Sequence, residues 1–231
     1  EYVDFRRPEQ VFFVRDLAED LKRRDFTMNA MALRANGELV DLYDGQRDLQ
    51  AKVIRAVGDA SERFQEDALR MLRAIRFQAQ LGFTIEVETF AALQANAGLI
   101  KHIAVERIAQ ELTKVFTGKF TAQGIKAIQI SGLSEHLPGT FDGARWQNVK
   151  IETAEQGWAY FYYLNVAHDS NILSSYKCSN KLKTYAKNIE ELMQLDAWDE
   201  VTFFEYELES LLFAGRLLNA LGKSQVSDTD I

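Results

Sequence analysis

A chain of 231 residues with 47% hydrophobic and 26% charged residues can bury a core and form one or two compact units. It has no apolar run near the roughly 20 residues that a membrane-spanning helix needs, and residues 1–7 lack the pattern of a signal peptide, so a cytoplasmic, globular protein with no membrane partner is expected. Cys178 is the single cysteine, which excludes an intramolecular disulfide and argues against a cysteine-built zinc site, while 27 basic against 34 acidic residues give a net charge of −7 and argue against holding nucleic acid by bulk charge alone.

Only Pro8 and Pro138 interrupt the chain, so helix should dominate, with strand signals confined to the start. Residues 11–14 form a short apolar run. Residues 30–33 and 38–43 flank Asn36-Gly37, a dipeptide that tolerates positive φ and predicts a β-hairpin. Asp59 is placed to cap a helix, with Glu62 three residues on to complete a capping box, and that helix should run to Leu81 with Gly82 as its stop. Residues 87–95 and 104–116 continue the helical pattern, the latter closed by Gly118. A loop around Leu137-Pro138-Gly139 precedes an aromatic helical stretch, 158–164, and further helices are expected over 180–195 and 203–221, before a frayed polar end. Trp146, Trp158, Phe161, Tyr162 and Tyr163 are read as core rather than as platforms for stacked bases. The scattered His102, His136 and His168 are read as structural or surface residues.

Arg6, Arg7, Arg15, Arg23, Arg24, Arg63, Arg70, Arg73 and Arg76 crowd the first third of the chain, which points there for anion chemistry. Around the axis of the expected helix, Phe64, Ala68, Met71, Leu72, Ile75 and Ala79 share one face. Arg63, Glu66, Arg70 and Arg73 take the opposite face, with Asp67 and Arg76 on its flanks. Periodicity alone favours a solvated face with i,i+4 ion pairs. Asp67 and Arg70, however, can project a carboxylate acceptor and a guanidinium donor side by side. Cytosine and adenine present an amino donor beside a ring-nitrogen acceptor, whereas uracil and guanine present a carbonyl beside a ring N–H. A fixed pair of this kind therefore accepts C and A and leaves unpaired polar groups against U and G. Before the hairpin, Arg23 and Arg24 can hold phosphate with Asp25 and Asn29 orienting them, or can form a surface loop with local ion pairs. Asp41, Asp44 and Asp48 need not converge on one point, so a structural reading is favoured over a metal site.

Three segments occur in a characteristic order: Arg23-Arg24-Asp25-Phe26-Thr27-Met28-Asn29-Ala30, the Asp41 to Leu49 segment, and Glu66-Asp67-x-x-Arg70-x-x-Arg73-Ala74-x-Arg76-Phe77. Together with Tyr2-x-Asp4-x-Arg6-Arg7-Pro8 upstream and Glu106-Arg107-Ile108-x-x-Glu111-Leu112 downstream, they resemble the signature motifs of the class II tRNA nucleotidyltransferase (CCA-adding enzyme) and bacterial poly(A) polymerase family. The resemblance implies an α+β, mostly helical fold. Residues 1–57 would be the C-terminal part of a β-sheet head, 58–120 a helical, nucleotide-selecting neck, and 121–231 a helical, tRNA-binding body. It implies transfer of nucleotides from CTP and ATP to the 3′ end of tRNA, with pyrophosphate release and Mg²⁺ at the catalytic centre. Arg24 would contact the incoming nucleotide, Asp67 and Arg70 would read the base edge, and Arg73 and Arg76 would support binding. The Gly-rich turn and Asp-x-Asp pair that hold the metal in that family have no counterpart before the arginine motif here. Asp228-Thr229-Asp230 has the spacing without the strand or turn. No catalytic or metal-binding residue is therefore assigned, and the chain by itself is expected to be inactive.

Overall fold

The computed structural model describes residues 17–223 together with the backbone of residues 2–4 and 7–8. The apolar run at 11–14 and the chain end beyond residue 223 lie outside the described residues. Strands β1 (Tyr2–Asp4) and β2 (Arg7–Pro8) pair antiparallel. Helix α1 (Leu17–Lys22) leads through a short 3₁₀ turn, Thr27–Asn29, into the expected hairpin. There β3 (Met31–Leu33) pairs with β4 (Leu39–Asp41) in the register Met31↔Asp41, Ala32↔Val40, Leu33↔Leu39. Gly37 turns the hairpin with φ of 84°, a conformation that lacks steric penalty only without a Cβ.

Helix α2 (Gly45–Ala51) follows, and then β5 (Val53–Ile54) pairs parallel with β6 (Thr84–Ile85), a strand that the sequence pattern did not reveal. Between these two strands the expected single helix is in fact two, α3 (Ala60–Glu66) and α4 (Leu69–Leu81). Asp67 is extended, at φ −150° and ψ 101°, and its Oδ1 accepts the Leu69 N–H at 3.1 Å. That local bond competes with continuation of the helix, as aspartate side chains commonly do. The two outer boundaries of this stretch hold: Asp59 accepts the Glu62 N–H at 2.9 Å at the start of α3, as an N-cap without the reciprocal bond of the expected capping box, and Gly82 ends α4 in a left-handed conformation.

The remaining helices are α5 (Val87–Asn96), α6 (Val105–Phe116), α7 (Thr121–Ile130), α8 (Ala154–Asn165), α9 (Ile172–Ser175), α10 (Asn180–Gln194), α11 (Glu200–Glu205) and α12 (Leu208–Ala220). The expected helix over 203–221 is thus broken at Tyr206 and Glu207. The apolar face read from sequence is the buried one: Phe64, Ala68, Met71, Leu72, Ile75 and Ala79 are all buried. Each large side chain among them contributes about 1.5–3 kcal/mol by leaving water.

Helix α4 packs on α6 and α7, α3 on α5, and α8 on α6 and α10, which in turn meets α12. The approach of α7 to α4 requires Gly124, because a Cβ there would lie 2.7 Å from the Ala79 Cβ. Between the α4–α7 layer and the later helices lies an aromatic cluster around Phe116, which stacks on Trp146 at 5.0 Å and Phe161 at 5.2 Å and meets Trp158 edge-on at 5.0 Å. Trp158 Nε1 donates to Thr113 Oγ1 at 2.8 Å, so the indole is buried with its polar atom paired. These aromatics are core, and one continuous apolar cluster links the N-terminal segment to α12.

Candidate functional site

The loop after α1 and the α3–α4 bend meet because three arginines from the helices hold the loop. Arg63 Nη1 donates to the Lys22 carbonyl at 3.1 Å, and Arg70 Nη2 to the Arg23 carbonyl at 2.9 Å. Arg73 Nε donates to Asp25 Oδ2 at 2.7 Å. Asp25 is itself buried, and its other oxygen accepts from the Phe26 N–H at 2.9 Å and Asn29 Nδ2 at 3.3 Å. Glu66 bridges Arg63 and Arg70. The polar side of α3 and α4 is therefore not a solvated face: its arginines are spent on backbone carbonyls and a buried carboxylate.

This arrangement encloses an open cleft of about 480 Å³ lined by Arg23, Arg24, Asp25, Asn29, Asp67, Arg70, Arg73 and Arg107. Five arginines against two aspartates make it cationic and suited to attract an anion, in a protein whose net charge is −7. Arg23 and Arg24 keep half of their side-chain surface exposed and share Asp20, which Arg24 Nη2 meets at 2.9 Å. Exposed pairs of this type are weak, so both guanidinium groups are available to an incoming phosphate. Arg70 also donates through Nη1 to Glu66 and to the Arg63 carbonyl. With Nη2 on the Arg23 carbonyl, one Nη2 proton and the Nε–H have no hydrogen-bond partner among the described residues.

Asp67 lies at the bend rather than on a helical turn with Arg70, but both reach the same cleft. Its Oδ2 accepts from Arg107 Nη2 of α6 at 2.9 Å, and each carboxylate oxygen retains capacity for a further hydrogen bond. Arg107 is the cleft residue that sequence reasoning did not assign. It lies 40 residues from Asp67, so helical spacing could not pair them. Its place in the Glu106-Arg107-x-x-x-Glu111 motif was the available signal.

Arg76 does not line the cleft. It is buried between α4 and α6, where Nη1 lies 3.2 Å from Glu111 Oε2 and the guanidinium stacks over Phe77 at 4.2 Å. Burial pulls this guanidinium below its ordinary value, and Glu111 pushes it back up.

The three aspartates of the Asp41 to Asp48 segment do separate jobs. Asp41 accepts the Gly45 and Gln46 N–H groups at 2.7 and 2.9 Å and starts α2. Those bonds take its carboxyl below the usual range against the opposing effect of burial. Asp48 is buried and accepts from Thr27 Oγ1 at 2.7 Å and Arg55 Nε at 3.1 Å. Asp44 adopts φ of 58° just before α2. Among the described residues no group of three or more His, Cys, Asp or Glu side chains could hold a metal ion.

Two family models match the chain: the poly(A) polymerase head domain over residues 1–55, and a probable RNA- and SrmB-binding site of polymerase A over residues 82–142. A CCA-adding enzyme of Bacillus cereus is 40% identical over 236 aligned residues, covering 97% of this chain and 59% of the relative. One from Bacillus mycoides is 45% identical over 189 residues, covering 78% of this chain and 48% of the relative. The chain thus spans about half to three-fifths of the length of the curated relatives it matches. Among solved structures, the Bacillus stearothermophilus CCA-adding enzyme in complex with CTP aligns with a TM-score of 0.82 at 36% identity, covering 92% of this chain and 57% of that one. The Thermotoga maritima CCA-adding enzyme complexed with tRNA shares the fold at a TM-score of 0.65 and 22% identity, over 89% of this chain and 59% of that one. With both family models in chain order and this similarity over nearly its whole length, the chain belongs to the poly(A) polymerase and CCA-adding enzyme family.

Proposed function

We propose that the chain is the nucleotide-selecting and tRNA-holding part of a CCA-adding tRNA nucleotidyltransferase, which transfers C and A from CTP and ATP to the tRNA 3′ end without a nucleic acid template. The observation that carries this reading is the meeting of Arg24, Asp67, Arg70 and Arg73 in one cationic cleft, whose lining offers both a carboxylate and guanidinium groups. Arg24 takes the triphosphate. Asp67 accepts from the amino group of C or A, and Arg70 donates to the adjacent ring nitrogen. U and G would face the same two groups with acceptor against carboxylate and donor against guanidinium, a mismatch of two bonds. Arg73 acts through Asp25, which it fixes beneath the arginine loop. Arg76 acts by locking α4 to α6.

In this reading residues 1–57 finish the head, 58–120 are the neck, and 121–231 are a body that holds tRNA in the cytoplasm. A single cleft built by the loop before β3 and the bend before α4 supports placing the head–neck boundary between them. The test is incorporation of labelled CTP and ATP, with Mg²⁺, into tRNA lacking its 3′ end. This chain is assayed beside the longest reading frame that contains it. CTP followed by ATP incorporation by the longer protein supports the proposal. ATP alone would favour a poly(A) or A-adding enzyme, CTP alone a CC-adding one, and neither a non-catalytic RNA-binding module.

A further inference from the structure

We propose that Arg107 is a positioning residue for base selection, holding the Asp67 carboxylate in the plane from which it meets a base edge; this rests on the nucleotide-selecting role proposed for the cleft. Asp67 sits on extended backbone between two helices, outside the regular helical turns that would set its side chain's direction. It is held instead at both oxygens, by the Leu69 N–H on Oδ1 at 3.1 Å and by Arg107 Nη2 on Oδ2 at 2.9 Å. A carboxylate gripped at both ends has its rotation fixed, which a base reader requires before the nucleotide arrives.

The guanidinium that does this is itself well placed. Arg107 lies one helical turn before Glu111 on α6, and Glu111 pairs with the buried Arg76 of α4. Two ion pairs thus join α6 to the α3–α4 segment, one buried at Arg76 and one at the cleft wall. The Arg107–Asp67 pair is the exposed one, with side-chain exposures of 41% and 28%. Exposed pairs contribute little to folding. The contact therefore matters for where the carboxylate points rather than for whether the neck folds. Lysine at this position would keep the charge and lose the planar, directional donor.

The experiment measures the ratio of kcat/KM for CTP to that for UTP on tRNA lacking its 3′ end. It uses the longest protein containing this chain, as wild type, Arg107→Ala, Arg107→Lys, Asp67→Ala and the Arg107→Ala/Asp67→Ala double variant, with melting temperatures alongside. Arg107→Ala is expected to lower the ratio about tenfold, the effect of one charge-assisted hydrogen bond, with a melting temperature close to wild type. Arg107→Lys should recover part of the ratio, and the double variant should match Asp67→Ala, because the two residues act as one unit. A ratio that collapses in Asp67→Ala but stays at the wild-type value in Arg107→Ala overturns the role of Arg107 and leaves the base-reading proposal intact. A ratio unchanged in both overturns both. Tighter nucleotide binding by Arg107→Ala would mean that the guanidinium competes with the base, and also overturns the inference. Should the alanine variant fail to fold, the ratio in Arg107→Lys decides: a wild-type value refutes the directional role, and a reduced one supports it.

Discussion

Replacing Arg76 with alanine removes the cation that faces Glu111 between α4 and α6. Both side chains are at least nine-tenths buried, and their charged groups are 3.2 Å apart. Removing one partner of such a pair leaves the other charge buried, which costs about 3–5 kcal/mol, against about 0–1 kcal/mol for an exposed pair. Two local features adjust that figure. Glu111 keeps Lys114, 3.4 Å away and half exposed, which lowers the loss. The cation–π contact of the guanidinium with Phe77 is lost as well, which raises it. A net destabilisation of about 3 kcal/mol is expected. Urea unfolding should show it as a lower midpoint at unchanged slope, and a thermal scan as a drop of roughly 6–12 °C for a chain of this size. The double variant Arg76→Met/Glu111→Leu removes both charges and should regain most of the loss. A single variant within 1 kcal/mol of wild type, or a double variant as unstable as the single one, would refute the reasoning.

Other substitutions test separate parts of the account. Gly124→Ala places a methyl group 2.7 Å from the Ala79 Cβ and 3.2 Å from Val115 Cγ1, so it should destabilise the α4–α7 contact by about 1–3 kcal/mol, measured by urea unfolding. Arg24→Ala should weaken CTP and ATP binding together, since the role proposed for this side chain is to take the phosphates that both nucleotides share; calorimetric titration showing loss of only one nucleotide would contradict that assignment. Glu86 is raised by burial but taken below its ordinary value overall by bonds from Thr89 and by Arg55. A carboxyl lowered on folding contributes stability that is present above its unfolded value and lost as pH falls through its folded value. Glu86→Gln should therefore flatten the acid limb of the stability–pH profile, and an unchanged limb would argue against the effect.

How far the molecule was legible in its sequence depended on whether the determinant was local. The hairpin was readable because Asn36-Gly37 sets its turn, and the buried face from Phe64 to Ala79 because a 3.6-residue period survives a bend of one residue. The bend itself was not readable. It arises because the Asp67 side chain takes the Leu69 N–H, and the same residue type on the same face could equally have stayed helical. The helix over Thr121–Ile130 was expected only through the resemblance, which made residues 121–231 helical, and was not singled out by its own pattern; in place, Gly124 is what lets two helices touch. Strand β6 has only two residues and exists through its partner at Val53–Ile54. For the cleft, Arg24, Asp67, Arg70 and Arg73 were found through their motifs, yet their partners were not. Arg73 depends on Asp25 across 48 residues and Asp67 on Arg107 across 40, and no local pattern encodes either pairing.

The central claim is that the cleft distinguishes bases by the Asp67 and Arg70 edge. It is tested most directly by equilibrium binding of CTP, ATP, UTP and GTP to the wild-type protein and to Asp67→Ala. The account predicts that the wild type binds CTP and ATP at least about tenfold more tightly than UTP and GTP, and that the variant loses this preference while retaining affinity through the arginines. Equal affinity for all four nucleotides in the wild type, or an undiminished preference in the variant, would contradict it.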